Sequence, residues 1–328
     1  MSARERAVPG PGTAEPAAAA APARPPAVPR TAQGRIDVGA LARLRARRPG
    51  AVAEAAALRA RRPLLGPTGR LMIIAADHPA RGALGVGGDP LAMADRADLL
   101  GRLCLALSRP GVDGVLGTAD VLEDLLLLGA LEDRVVVGSM NRGGLAGAAF
   151  ELDDRFTGYR AEDVAAAGFD AGKLLLRVDY DDPGSGSVAT LLSAARAVDA
   201  MAAHGLPVFV EPFLCRRGPD GRLRTDLSAA AVTRSIAVAS GLAGTSAYTW
   251  LKVPVTEEPA DMARVMAAST LPAVLLGGEI GDDQEGTYEK WRSALRLPTV
   301  QGLVAGRSLL YPADGDVVKA VDTAVGLL

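Results

Sequence analysis

A lysine stands in the middle of the apolar segment "AYTWLKVPV", residues Ala247 to Val255, with Trp250, Leu251, Val253 and Val255 around it. Burying an unpaired charge costs several kcal/mol, on the order of a small protein's whole stability. Lys252 therefore either has a partner or serves as a neutral amine. A neutral lysine attacks a ketone and forms an iminium, an electron sink for breaking a neighbouring C–C bond, and desolvation among cationic neighbours favours that form. Lys173 and Arg177 in "KLLLRVDY" would supply the cationic neighbours, and Arg177 is also a candidate substrate or phosphate ligand. Glu211 in "VFVEPF", one strand before Lys252, is placed to move protons during carbinolamine dehydration and bond cleavage. Asp77, Asp179, Glu279 and Arg307 complete the charged residues that fall near strand ends.

Strand alternation sharpens this set. Lys173, Leu175, Arg177 and Asp179 share one face of their strand, as do Phe209 with Glu211 and Trp250 with Lys252. Charges of both signs can thus converge in one cavity. The bland alternative is a layer of structural ion pairs. Gly277 and Gly278 of "LLGGE", with Gly306 and Arg307 of "AGRS", form a candidate phosphate cradle built on backbone N–H groups and a helix start.

The elements that must position these groups follow a rhythm from Arg70 onward. Apolar runs of strand length occur at "LMIIAAD", "GVDGVLGT", "RVVVGSM", "KLLLRVDY", "LPVFVEPF", "YTWLKVPV", "PAVLLGG" and "VQGLVAG". Each precedes a segment of helical period, from "PLAMADRADLLGRLCLALS" to "GDVVKAVDTAVGLL". Eight strand–helix alternations over residues 70–328 predict an α/β fold, a closed (β/α)8 TIM barrel. Chemistry then belongs at the C-terminal ends of the strands. An open doubly wound sheet lacks its G-x-G-x-x-G after the first strand.

Residues 1–34, an Ala-, Pro- and Arg-rich stretch without periodicity, are expected to be a disordered tail. Residues 35–69 predict a basic helical extension, two short helices broken at Pro49-Gly50 and lying on the outside or underside of the barrel. Their arginines read as a solvated face or a phosphate or partner patch.

Composition narrows the function. A formal net charge of -2 gives no bias toward nucleic acid, and no apolar run approaches a membrane span. The segment "AEPAAAAAPARPPAVP" lacks the apolar core of a leader, which argues against export. The two cysteines, Cys104 and Cys215, fit small core residues in a reducing cytoplasm. Of the two histidines, His204 in "AAHGLP" reads as a helix end, and neither lies in a zinc-ligand pattern, so no metal or other cofactor is expected. The expected partners are a small phosphorylated sugar or sugar acid and, in a homo-oligomer, further copies of the chain.

"AADHPARGAL", "KLLLRVDYDD", "VFVEPF", "WLKVPV" and "VAGRSLLY" resemble the corresponding strands of class I (Schiff-base) aldolases. The likeness is to tagatose-1,6-bisphosphate aldolases and the wider group with deoxyribose-phosphate and bacterial fructose-bisphosphate aldolases. It spans the chain from about Arg70 onward. The resemblance implies Lys252 as the Schiff-base lysine and Glu211 as the general acid/base. It further implies Lys173 and Asp77 as catalytic partners that orient the substrate, and Arg307 as a phosphate ligand. Two departures stand out. "DHPARG" replaces an Asp followed by Gln-Arg, bringing His78 to the first strand end, and "GGEIGDDQEG" replaces a Ser- or Ala-bearing turn after strand 7. The "DHPARG" form resembles an actinobacterial aldolase-like group linked to inositol catabolism.

The resulting expectation is a metal-independent aldolase, first of 5-dehydro-2-deoxy-6-phosphogluconate, then of tagatose- or fructose-bisphosphate or deoxyribose phosphate. A non-catalytic sugar-phosphate binding protein is the competing class, although pure binding requires no lysine in an apolar strand. An isomerase or epimerase is a third, and it would call for paired carboxylates or a His at the reacting carbon.

Overall fold

The strands carry apolar residues at successive positions because both of their faces are buried. In β1, Leu71–Ala75, the side chains of Leu71, Ile73 and Ala75 join the cluster lining the lumen, while Met72 and Ile74 pack outward beneath the helices. The computed structural model describes residues 30–328 apart from 142, 143, 183, 185, 257 and 279–282. The remaining strands are β2 Gly114–Gly117, β3 Val135–Ser139, β4 Ala171–Val178, β5 Val208–Arg217, β6 Leu223–Asp226, β7 Thr249–Val253, β8 Ala273–Leu276 and β9 Val300–Ala305. All except β6 pair in parallel, in the order β4-β3-β2-β1-β9-β8-β7-β5, and β4 pairs with β5 to close the ring. The molecule is a (β/α)8 barrel.

The helices are α1 Val38–Arg47, α2 Ala51–Leu58, α3 Arg96–Leu107, α4 Ala119–Leu127, α5 Ala161–Ala166, α6 Ser187–Ala203, α7 Ala229–Ser240, α8 Pro259–Met266, α9 Gln284–Ala294, α10 Arg307–Leu310 and α11 Val317–Val325. Several begin where a short polar side chain accepts a hydrogen bond from a first-turn amide: Asp95 before α3, Ser228 before α7, Asp283 before α9 and Asp316 before α11. The segment 90–95, which the sequence reads as part of a helix, is turn up to the Asp95 cap.

Two features go beyond eight simple alternations. Strand β5 runs on past the barrel and β6 folds back on it antiparallel, from Leu214 opposite Asp226 to Arg217 opposite Leu223. The other is the basic extension. Helix α1 lies outside, where Arg45 pairs with Glu123 at 2.7 Å and Asp124 at 2.8 Å on α4. Beyond α2 the chain passes under the barrel: Arg59 reaches Asp170 at 3.2 Å, Arg62 reaches Asp113 at 2.6 Å, and Leu64 packs on the lumen cluster. Arg45, Arg59 and Arg62 are thus pegs in carboxylates, while Arg43, Arg47, Arg48 and Arg61 remain exposed. Of the expected tail, residues 1–29 lie outside the described residues, as does Glu279 with the following 280–282.

Candidate active site

The lumen fills from below with Leu71, Ile73, Val135, Val137, Ala171, Phe209, Trp250 and Val274, and only above this layer do charges appear. Alternation puts them there. Phe209 pairs in register with Trp250, so the next inward residues, Glu211 and Lys252, rise side by side. Lys173 starts one layer lower, opposite Phe209 and Ser139, and its long side chain climbs to the same level.

There Glu211 joins the two lysines. Its Oε1 accepts from Lys252 Nζ and its Oε2 is paired with Lys173 Nζ. Lys173 Nζ also donates to Asp77 Oδ2 at 3.3 Å, and Ser139 Oγ donates to the same oxygen at 3.1 Å. All these side chains are buried, Lys173 completely. A chain of contacts thus runs Ser139, Asp77, Lys173, Glu211, Lys252. Water competes weakly for such groups, so each charge depends on its neighbour and a proton can pass between adjacent members. The carboxylate that the sequence places one strand before the nucleophile candidate is bonded directly to it.

Arg177 lies on the same face of β4, at its end, but turns to the loop between β3 and α5. It holds Asp154 through Nε at 2.9 Å and Nη2 at 2.6 Å, and its Nη1 is 3.5 Å from Glu151. Against the cost of burial, these bonds to Asp154 raise its pKa, so it is a permanent charge spent on a loop. Arg81, from the "DHPARG" turn, holds the same loop through the carbonyl of Gly144 at 2.9 Å and Glu151 at 3.3 Å. Asn141 ties the start of the loop to β4, donating to the Leu175 carbonyl and accepting from the Leu175 amide, both at 2.6 Å. Asp179 is occupied with its own turn, accepting from the amides of Asp181 and Asp182.

His78 borders the mouth of the site. Its Nδ1 is 3.8 Å from Asp77 Oδ1 and, though buried, has no hydrogen-bond partner among the described residues. Burial first, then the positive charges of Arg307, Lys252 and Lys173, push its pKa down to about 3, so the ring is neutral near pH 7. Across the mouth, Gly306 leads from β9 into the single turn α10. A side chain at Gly306 would collide with the Ala75 carbonyl oxygen, and one at Gly277 would meet Ala305 at 2.9 Å. Gly278 takes a φ of +70°, which glycine adopts without strain. Beside this backbone, Arg307 Nε and Ser308 Oγ are buried without a hydrogen-bond partner among the described residues, and Arg307 Nη1 makes only a long contact, 3.5 Å, to the Gly85 carbonyl.

The structure therefore gathers Lys252, Glu211, Lys173 and Asp77 into one network and sets Arg307, Gly306, Gly277 and Gly278 together at the β8 and β9 ends. Arg177 is drawn off to the loop. Ser139, Asp154 and Ser308 were absent from the sequence reading. Ser139 was within reach of the alternation argument, since it follows Val135 and Val137 on the inward face of β3. Asp154, on a long loop, had no such signal. A separate cleft of about 80 Å³, lined by Tyr180, Cys215, Asp226 and Arg234, opens at the rim between β4, β5, β6 and α7 and contains none of the network. Burial pushes the Cys215 thiol up to about 11, which leaves it unreactive as a nucleophile. Among the described residues no three His, Cys, Asp or Glu side chains converge as metal ligands, and no helix is long and apolar enough to cross a membrane.

The model of the Cgl0159-like family matches residues 69–325. The crystal structure of Cgl0159 from Corynebacterium glutamicum is 51% identical, with a TM-score of 0.85 over 91% of this chain and 97% of that one. An archaeal fructose 1,6-bisphosphate aldolase is 19% identical, with a TM-score of 0.60 over 84% of this chain and 98% of that one. An archaeal fructose-1,6-bisphosphate aldolase with its catalytic Lys covalently bound to the carbinolamine intermediate is 18% identical, with the same score and the same coverage. At such identities the archaeal likeness shows the fold. No curated protein matches the chain.

Proposed function

The chain belongs to the Cgl0159-like family, and from that premise we propose that it is a metal-independent class I aldolase with Lys252 as the Schiff-base nucleophile. The observation that carries this reading is the carboxylate of Glu211 bonded to Lys252 Nζ in the lumen at the strand ends. Ion pairing alone would be served as well by arginine, whereas an amine beside a proton acceptor can be made nucleophilic. The covalent lysine intermediate in the archaeal aldolase of the same fold supports the assignment.

The steps balance with these groups alone. Glu211 takes the proton of the Lys252 ammonium, and the neutral amine adds to the ketone carbon. Glu211 returns the proton to the carbinolamine oxygen, water leaves and an iminium forms. The restored carboxylate then accepts the proton of the hydroxyl on the carbon β to the iminium, and the C–C bond breaks toward the iminium to leave an enamine and an aldehyde. Reprotonation and hydrolysis free the ketone and Lys252. Lys173, fixed by Asp77 and Ser139, stabilises Glu211 as a carboxylate and orients substrate hydroxyls. Arg307, Ser308 and the glycines at the β8 and β9 ends hold the phosphate. The preferred substrate is 5-dehydro-2-deoxy-6-phosphogluconate, cleaved between C3 and C4 to malonate semialdehyde and dihydroxyacetone phosphate. Tagatose- and fructose-bisphosphate follow.

Borohydride reduction in the presence of dihydroxyacetone phosphate, followed by peptide mass spectrometry, tests the reading. The expected result is an irreversible mass gain on Lys252 that EDTA does not prevent. An adduct on Lys173 would move the nucleophile to β4, and an enzyme inactivated by chelation and rescued by a divalent ion would overturn the mechanism.

A further inference from the structure

The "DHPARG" turn sets His78 apart in the sequence, and the mechanism above leaves it without a task. His78 follows the end of β1 and caps the Pro79–Arg81 turn, with its ring next to Asp77 of the network. Its buried Nδ1 has no hydrogen-bond partner among the described residues, and the nearest carboxylate oxygen, Asp77 Oδ1 at 3.8 Å, is beyond hydrogen-bond range. Leaving such a nitrogen unsatisfied is costly, and a bound group with a matching oxygen recovers that cost. The charges acting on the ring locate it. Arg307 bears on it most, then Lys252, with Glu211 and Lys173 weaker. The ring thus lies beside Asp77 of the network and near enough to both Arg307 and Lys252 for their charges to act on it.

We infer that His78 is a specificity-determining residue whose neutral imidazole donates a hydrogen bond to the short segment joining the phosphate to the carbonyl carbon. The substrate class that fits is a keto sugar or keto sugar acid whose phosphate ester is on a terminal CH2 next to the ketone, so that one CH2–O–P unit spans from Lys252 to Arg307. A sugar with its phosphate remote from the carbonyl, such as deoxyribose 5-phosphate, cannot place its ester oxygens beside the ring. A neutral imidazole offers one N–H donor and one acceptor lone pair, and burial together with the cations Arg307, Lys252 and Lys173 keeps a further positive charge from forming there. The same depressed basicity makes the ring a poor proton acceptor, leaving proton transfer to Glu211.

This inference rests on the aldolase reading, and its test separates the two. Borohydride trapping of dihydroxyacetone phosphate is measured over a range of concentrations in the native protein, His78→Phe and His78→Gln. His78→Phe should raise the half-saturating concentration about tenfold, the worth of one hydrogen bond of roughly 1.4 kcal/mol. The limiting rate should change less than about threefold, and His78→Gln, which keeps a donor, should recover most of the affinity. An unchanged half-saturating concentration in His78→Phe, or a loss confined to the limiting rate, overturns the assignment. Trapping of deoxyribose 5-phosphate as readily as dihydroxyacetone phosphate overturns the substrate class. If the native protein traps nothing, the aldolase reading falls and ring-nitrogen NMR decides the role of His78. The chain has two histidines, so the signal lost in His78→Gln is identified at once. It must shift when dihydroxyacetone phosphate is added, and an unmoved signal sinks the inference.

Discussion

At the N-terminal face of the barrel, Arg59 is buried against Asp170 at 3.2 Å and donates to the carbonyls of Arg134 at 2.7 Å and Gly168 at 2.6 Å. At the C-terminal face, Lys252 and Lys173 share one carboxylate, that of Glu211. Both ends bury cations beside anions, yet they use different residues. Arginine keeps its charge at any pH a protein meets and spreads several donors in a rigid fork, which suits a permanent fastening. Lysine is a point donor that can give up its proton. Each end leaves some buried polar atoms without a partner among the described residues, Arg59 Nε below and His78 Nδ1, Arg307 Nε and Ser308 Oγ above. The Arg59 fork, however, is held by two carbonyls and Asp170, whereas Arg307 has one long contact to the Gly85 carbonyl. Two networks of similar burial thus differ in their cations: the lower fastens the N-terminal extension to the barrel, and on the proposed function the upper one receives the substrate.

The sharpest way to break this division is Lys252→Met, the change with the largest expected effect. Turnover and the borohydride adduct should both vanish while the protein stays folded, because Glu211 retains Lys173 as its partner and a methionine fits an apolar strand. If the upper network were only a fastening like the lower one, the same variant would keep its turnover and gain stability from the relieved desolvation. Glu211→Gln comes next, with kcat expected to fall by roughly 10²- to 10⁴-fold, the usual worth of a general acid/base, while slow trapping on Lys252 continues. A fully active Glu211→Gln enzyme would remove Glu211 from the mechanism.

The lower network should respond in the opposite currency. Arg59→Ala is expected to lower unfolding stability by about 3–5 kcal/mol, since it leaves a buried carboxylate short of a partner. Asp170 keeps the Val136 amide at 2.9 Å and the half-exposed Arg61 at 3.2 Å, which favours the smaller end of that range. Denaturant titration measures the loss, and kcat of the folded fraction should be unchanged. A drop in kcat at constant stability would show that the two ends are coupled.

How much of this was legible in the sequence differs between the two ends for a physical reason. Strands buried on both faces show as unbroken apolar runs, so the eight barrel strands stand out, and period-two alternation alone sends Lys173, Glu211 and Lys252 into the lumen. The ninth strand, β6, is hidden because "LRTD" is polar and pairs with the equally polar "LCRR" outside the barrel. Long-range pairing is hidden as well. Nothing local in "RARRPLL" tells that Arg59 and Arg62 will meet Asp170 and Asp113, and nothing near Arg177 tells that Asp154 will return on a loop to claim it. Alternation reveals which way a side chain points, but its partner is set by loops whose path depends on the whole fold.

Arg307→Ala carries the smallest expected effect and tests the comparison most finely, because it sets an arginine of the upper end against Arg59 of the lower. Arg59 makes its hydrogen bonds within the protein. Arg307 makes one long contact, to the Gly85 carbonyl, where Arg59 has two carbonyls and Asp170, so little folding energy depends on its fork. Removing it should change unfolding stability by no more than about 0.5 kcal/mol, the usual span for a side chain without such bonds. The loss should appear instead as a KM about ten- to a hundredfold higher, matching the roughly 1.5–3 kcal/mol of a hydrogen bond to a charged group. Little change in kcat is expected, because the phosphate is gripped equally in the ground and transition states. Arg307→Lys, which keeps the charge but not the fork, should fall between. A variant that lost stability as Arg59→Ala does, with KM unchanged, would make Arg307 another fastening and move the phosphate site away from the β8 and β9 ends.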